Sequence, residues 1–284
     1  MSEDLTTLHV AERGGIATVT LDHPPVNLFD PAMIGDCRRV FDRLAQRRDL
    51  RVVVFRSADP DFFISHADLT MFLGPVDEVP PKGARLNPLQ ALFEDLRTLP
   101  QATIGVLEGR ACGAGTEFLT SCDMVFAARE RAVLGQFEVA VGVLPGATGS
   151  QRLPRLLGRS RALEMILGCG EVDADLAERY GLVNRAVAAD RLDEFVDRLA
   201  TRIATFPAPA ITLAKVAVDA AGPPLQPGLF EEAHQLNHAL ADDEARRRMR
   251  ALLALGAQQR AFERSHFTDA LEQLGSGASR EEGR

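Results

Sequence analysis

Residues 110–118 read RACGAGTEF. Three very small residues, Gly113, Ala114 and Gly115, run straight into a hydroxyl and a carboxylate, Thr116 and Glu117. Upstream, ATIGVLEG (102–109) is a short apolar run that predicts a strand. The stretch therefore predicts strand, small-residue turn, and a helix opening near Gly115. Backbone N–H groups at such an opening are unpaired, and the helix dipole adds positive potential. A phosphate cradle is the first chemical candidate, and the residues exclude it. Counted from Gly113, G-x-G-x-x-G needs glycine where Phe118 stands, and a P-loop needs a lysine that is not there. What remains is an oxyanion hole with an acid one step behind it. One amide rarely suffices for that task. A second donor is expected in FFISHADL (62–69), which follows the buried-strand pattern RVVVF (51–55).

Outward from these two stretches, strand and helix signals alternate, which argues for an α/β core. LTTLHVAERGGIATVTL (5–21) reads as a hairpin turning at Gly14-Gly15. After the rigid loop PPVNLFD, Asp30 is an N-cap for a helix over 31–49 with Pro31 at its first position. LQALFEDLRTLP (89–100) is a second amphipathic helix, and CDMVFAARE (122–130) a further strand. The Pro- and Gly-rich stretch 74–88 reads as a mobile excursion. Beyond about residue 147 the pattern is helical, with GLVNRAV (181–187) as the one late strand candidate. The last ten residues, GSGASREEGR, predict a disordered tail.

Composition narrows the function classes. The chain has 284 residues, a net charge of −8 and only two lysines, Lys82 and Lys215. That argues against nucleic acid as a partner. Four cysteines without a CxxC pair read as buried free thiols. His234 and His238 share a helix face, but EEAHQLNHAL is not HExxH, so a solvated face is expected there and no metal. No basic leader and no apolar run of membrane-spanning length are evident, so a cytoplasmic protein off the membrane is expected.

Several blocks, in order, carry a resemblance. VTLDHPPVNLFD (19–30), VVVFRSADPDFFISHADL (52–69), GVLEGRACGAGTEFLTSCDMVFAA (105–128), VLGQFEVAVGVLPGATGSQRLPRLLG (133–158) and GLVNRAV resemble the signatures of the crotonase (enoyl-CoA hydratase/isomerase) superfamily. The match runs from about residue 6 to 205. It implies an α/β fold with a crotonase-like β-β-α spiral core over 1–205, carrying the CoA thioester site. A helical C-terminal oligomerisation region over 206–274 and a tail over 275–284 would follow.

The resemblance also implies roles. The N–H groups of Ala67 and Ala114 would form the hole for the thioester oxygen. Glu117 and Glu138, 21 residues apart with one apparent strand between them, would be the acid/base pair. His66, Ala67, Asp68, Leu69, Thr70, Gly113 and Ala114 would contact substrate. CoA would arrive as part of the substrate, with no separate cofactor, and the chain would form a homotrimer or dimer of trimers. The implied reaction is hydration of a 2-enoyl-CoA or its reverse. A Δ3-Δ2 enoyl-CoA isomerase, an acyl-CoA hydrolase and a non-catalytic acyl-CoA-binding paralogue stay open beside it.

Four positions depart from the family pattern. Ala114 stands for the usual middle glycine, His66 for a glycine, Phe137 for a proline before the second acid, and Thr70 for a lysine. His66 is expected to narrow the entrance, to touch the thioester or CoA, or to point into protein. Asp123 and Arg152 are expected to be structural, and Met71-Phe72-Leu73 with the 74–88 loop to border the acyl pocket.

Overall fold

The computed structural model describes residues 5–76, 78–83 and 85–281, with 275–281 described by their backbone alone. The hairpin forms as expected. Strands β1 (Leu8–Arg13) and β2 (Ile16–Leu21) pair antiparallel, with Leu8 opposite Leu21 and Arg13 opposite Ile16. Gly14 and Gly15 both take positive φ, 59° and 81°, as a two-residue hairpin turn requires. Helix α1 (Pro31–Gln46) starts with Asp30 accepting from Met33 N–H at 2.9 Å. It ends three residues earlier than its periodicity suggests, where Arg47 turns extended and pairs with Glu12 and Asp49.

A repeating path then builds two sheets. Strand β3 (Val52–Ser57) is followed by β4 (Phe62–Ile64) and α2 (Pro88–Arg97). Strand β5 (Ala102–Leu107) is followed by β6 (Arg110–Cys112) and α3 (Ala114–Leu119). Strand β7 (Met124–Ala128) is followed by β8 (Val133–Gly135) and, after a loop, α4 (Gly149–Leu157). In each turn the first strand joins a six-stranded sheet and the second a four-stranded one. With β9 (Glu171–Asp173) and β10 (Arg185–Val187) added, the orders are β1-β2-β3-β5-β7-β10 and β4-β6-β8-β9. The large sheet is parallel from β2 onward, and this is the β-β-α spiral.

Helices α5 (Arg159–Gly168) and α6 (Ala174–Tyr180) lead to α7 (Ala189–Ala204), whose Leu192, Val196 and Ala200 cover the outer face of the large sheet. Helices α8 (Ala208–Asp219), α9 (Gln226–Ala241), α10 (Asp243–Leu255), α11 (Arg260–Ser265) and α12 (Phe267–Glu281) follow. The boundary expected at residue 205 falls between α7 and α8. Helices α10 and α12 pack Met249, Leu252, Phe267 and Leu271 against Leu69, Phe137 and Val141 of the spiral.

Two expectations are corrected. Two strands, β7 and β8, separate Glu117 from Glu138 rather than one, and β9 is a second late strand. Strands of three residues are too short to show alternation. Over 275–281, where a disordered tail is expected, the backbone continues α12. An established helix adds one hydrogen bond per residue fixed, so it can extend over residues that would not nucleate one. Residues 282–284 lie outside the described residues, as do Asp77 and Ala84 of the 74–88 excursion.

Candidate active site

The small residues at the start of α3 answer to two close approaches. Gly113 sits at φ 52°, ψ −120°, and a Cβ there would lie 2.7 Å from Glu138 Oε1 and 3.0 Å from the Phe137 ring. A Cβ on Gly115 would lie 2.3 Å from the Ile64 carbonyl oxygen at the end of β4. Ala114 is helical, so its methyl group needs no unusual backbone, and it lines the cavity. Behind the turn, Phe118 anchors α3 in an aromatic cluster with Phe29, Phe41, Phe55, Phe63 and Phe93, at centroid distances of 5.3–6.3 Å.

Ala67 follows β4. Its flanks pair with Phe29: Phe29 N–H donates to His66 O at 2.9 Å, and Asp68 N–H donates to Phe29 O at 3.2 Å. Ala67, Ala114, Glu117 and Glu138 all line one cavity of about 280 Å³. Among the described residues, neither the Ala67 N–H nor the Ala114 N–H donates to a protein acceptor. The remaining wall is mainly apolar: Leu69, Met71 and Phe72 after β4, Leu236 and Leu240 of α9, and Met249 of α10.

Glu117 is buried. Its Oε1 accepts from Ala147 N–H at 2.8 Å and Gly149 N–H at 2.6 Å, while its Oε2 accepts no hydrogen bond among the described residues. Burial pushes its carboxyl well above the usual range, and the charges of Glu138 and Glu232 push the same way; the two amides oppose them. Glu138 opens a 3₁₀ turn, Glu138–Val141, after β8. Burial raises it to about 7 against the pull of its own amide, that of Phe137, and His66. With its nitrogen turned toward Glu138, the Gln136 carboxamide donates to both carboxylate oxygens at 2.8 and 2.9 Å. Burial thus raises both carboxyls on this one cavity, and the charge of Glu138 adds to the rise at Glu117.

Of the other residues singled out, Leu69 lines the cavity and Gly113 is the spacer against Glu138. Asp68 and Thr70 are bonded to each other outside it: the Asp68 carboxylate accepts from Thr70 N–H at 2.9 Å and from its hydroxyl at 2.8 Å. His66 is fully buried and points into protein. Met71, Phe72, Asn87 and Pro88 border the cavity. Asp123 accepts from Thr103 N–H at 2.7 Å and pairs with Lys215 at 2.8 Å, and Arg152 pairs with Glu94; both are structural. Cys112 is buried with its thiol pushed well up, the opposite of a nucleophile. His234 and His238 meet edge to face at 4.5 Å with His234 Nδ1 buried, so that face is less solvated than expected.

Beside the site, two buried acids escaped the sequence reading. Glu232 on α9 accepts from Thr148 N–H at 2.7 Å, the Ser150 hydroxyl at 2.6 Å and Gln90 Nε2 at 2.9 Å. Its signal was present: Leu229, Glu232, Ala233 and Leu236 share helical spacing, so an acid interrupts an apolar stripe. Glu263 on α11 meets His66, and no local pattern marks it.

Comparison with known proteins shows the family. Residues 11–261 match the family model described as enoyl-CoA hydratase/isomerase. The chain is 35% identical over 210 residues to the Arabidopsis thaliana protein named "Probable enoyl-CoA hydratase 2, mitochondrial", covering 72% of this chain and 67% of that one. A solved structure from Streptomyces avermitilis, provisionally named an enoyl-CoA hydratase, superposes with TM-score 0.88 at 38% identity, over 96% of this chain and 99% of that one. Pseudomonas aeruginosa DspI superposes with TM-score 0.70 at 32% identity, over 78% and 89% of the two chains. With its ordered sequence blocks, two-sheet spiral and cavity between α3 and the C-terminal helices, the chain belongs to the enoyl-CoA hydratase/isomerase family of the crotonase superfamily.

Proposed function

We propose that the protein hydrates a 2-enoyl-CoA thioester, or runs the reverse dehydration, with Glu117 and Glu138 as the acid/base pair. The observation that carries this reading is the single cavity shared by both glutamates and by the two residues with unengaged amides, Ala67 and Ala114. In this mechanism a water oxygen bonds to C3 and the C2–C3 π electrons move toward the thioester. The charge gathers on the thioester oxygen, which accepts from the Ala67 and Ala114 N–H groups. Losing one such donor typically costs ~10²–10³ in rate. The water's proton passes to one carboxylate and the proton shared by the pair passes to C2, so the pair ends with the charge it began with. The apolar wall suits a hydrocarbon acyl chain. The exposed apolar residues of α8, Leu213, Val216 and Val218, at 67%, 61% and 73% exposure, support assembly into a homotrimer or dimer of trimers.

The test is turnover of crotonyl-CoA and of a 3-enoyl-CoA by the parent chain and by Glu138→Gln. Hydration by the parent that is lost in the variant supports the reading. An enzyme that never hydrates crotonyl-CoA, yet isomerises the 3-enoyl thioester with either residue at 138, sinks it in favour of isomerisation with one acid. Binding of CoA thioesters without any turnover points to a non-catalytic paralogue.

A further inference from the structure

His66 is fully buried, and it is bound at both ring nitrogens. Nδ1 lies 2.7 Å from the Ala67 carbonyl oxygen, so it carries a hydrogen and donates to it. Nε2 lies 3.1 Å from Glu263 Oε1, which also accepts from Gln258 N–H at 2.7 Å. The ring stacks on Phe267, with centroids 5.4 Å apart and planes at 21°, and lies 5.2 Å from the Phe137 ring. Gln258 Nε2 donates to the Asp68 carboxylate at 2.8 Å. The loop 66–68 is therefore gripped by the segment 258–267 on one side and by Phe29 on the other.

Both peptide planes that meet at Ala67 are pinned. The peptide that carries the Ala67 N–H has its carbonyl, that of His66, on Phe29 N–H. The next peptide has its carbonyl, that of Ala67, on His66 Nδ1. From this geometry we infer that His66, held by Glu263, is a positioning residue that fixes the Ala67 amide toward the thioester oxygen and ties the oxyanion hole to the C-terminal helices. The charged groups around the ring are Glu263 of α11, Glu138 of the 3₁₀ turn and the neighbouring Asp68. Burial opposes a charged ring, but Glu263 and the Ala67 carbonyl outweigh it and hold His66 above the ordinary histidine value.

The inference rests on the reading of Ala67 and Ala114 as oxyanion donors, and the test separates the two. The probe is a saturated acyl-CoA, hexanoyl-CoA with ¹³C at the thioester carbon, which can be neither hydrated nor isomerised. Isotope-edited infrared difference spectra read its C=O stretch when bound. The parent enzyme is expected to lower that frequency. The double variant His66→Phe/Glu263→Leu keeps the ring volume and leaves no buried lone charge, a replacement that is often neutral or stabilising. It is expected to lose at least half of the shift and to lower kcat about 10- to 100-fold with KM within threefold, below the loss of a whole donor. Glu263→Gln, which still offers Nε2 a partner, is expected to keep most of the shift. A parent shift that survives intact in the double variant overturns the role of His66. No shift in the parent overturns the oxyanion reading itself, and this inference with it.

Discussion

Thr148 N–H donates to Glu232 at 2.7 Å, inside a turn whose flanking amides, Ala147 and Gly149, both donate to Glu117. Consecutive amides thus serve two buried carboxylates approaching from different elements, α3 and α9. Thr148 holds φ 100°, a region costing about 1–3 kcal/mol for a residue with a side chain, and these bonds offset the strain.

Replacing Glu232 by leucine strips an acceptor from Thr148 N–H, the Ser150 hydroxyl and Gln90 at once. Glu232→Leu is expected to destabilise the fold by about 2–4 kcal/mol, since each buried donor left unpaired is costly. Urea unfolding at pH 7 measures it, with kcat falling as the turn that holds Glu117 loosens.

Gly149 has no room for a side chain: a Cβ would lie 2.7 Å from Glu117 Oε1 and 2.9 Å from its Cγ. Gly149→Ala is expected to displace the carboxylate and cut kcat/KM at least about tenfold, at a stability cost of about 1–3 kcal/mol. Steady-state kinetics beside thermal melts show whether activity falls more than stability explains.

Glu117→Gln removes a proton acceptor while keeping an oxygen for the Ala147 and Gly149 amides. The expected loss in kcat is ~10²–10⁴, the usual worth of a positioned acid or base. Affinity for a saturated acyl-CoA, read by calorimetry, should change less than about threefold.

The Glu138 carboxyl rises from an ordinary 4.5 to about 7 on folding, so between those values the folded chain holds more protons than the unfolded one. Its contribution is therefore most favourable below pH 4.5 and is lost as pH rises through 7. Glu138→Gln cannot ionise. It should gain on the parent chain as pH rises from 5 to 8, by on the order of 2 kcal/mol. Denaturant midpoints of both chains at several pH values test the sign. A constant difference would place the carboxyl in the ordinary range.

Much of this site was legible before any coordinates. The glycines of 113–115, the acid after them and the second acid after GQF are local features, and the structure brings both acids and both alanines to one cavity. Glu232 and Glu263 were not legible as site residues. Each meets partners more than 80 residues away, Thr148 and His66, and such contacts leave no periodic trace. His66 could be flagged as unusual beside Ala67, but its direction depended on a helix nearly two hundred residues on. Strands β8 and β9 were missed or merged because three residues carry too little pattern.

Phe118 is the neighbour of Glu117, and five other phenylalanine rings surround it. The carboxylate is thus mounted on the deepest part of the interior rather than on a surface loop. Trimming any of those rings is expected to shift the mount, so the packing of the interior and the placement of the Glu117 carboxylate are one and the same variable.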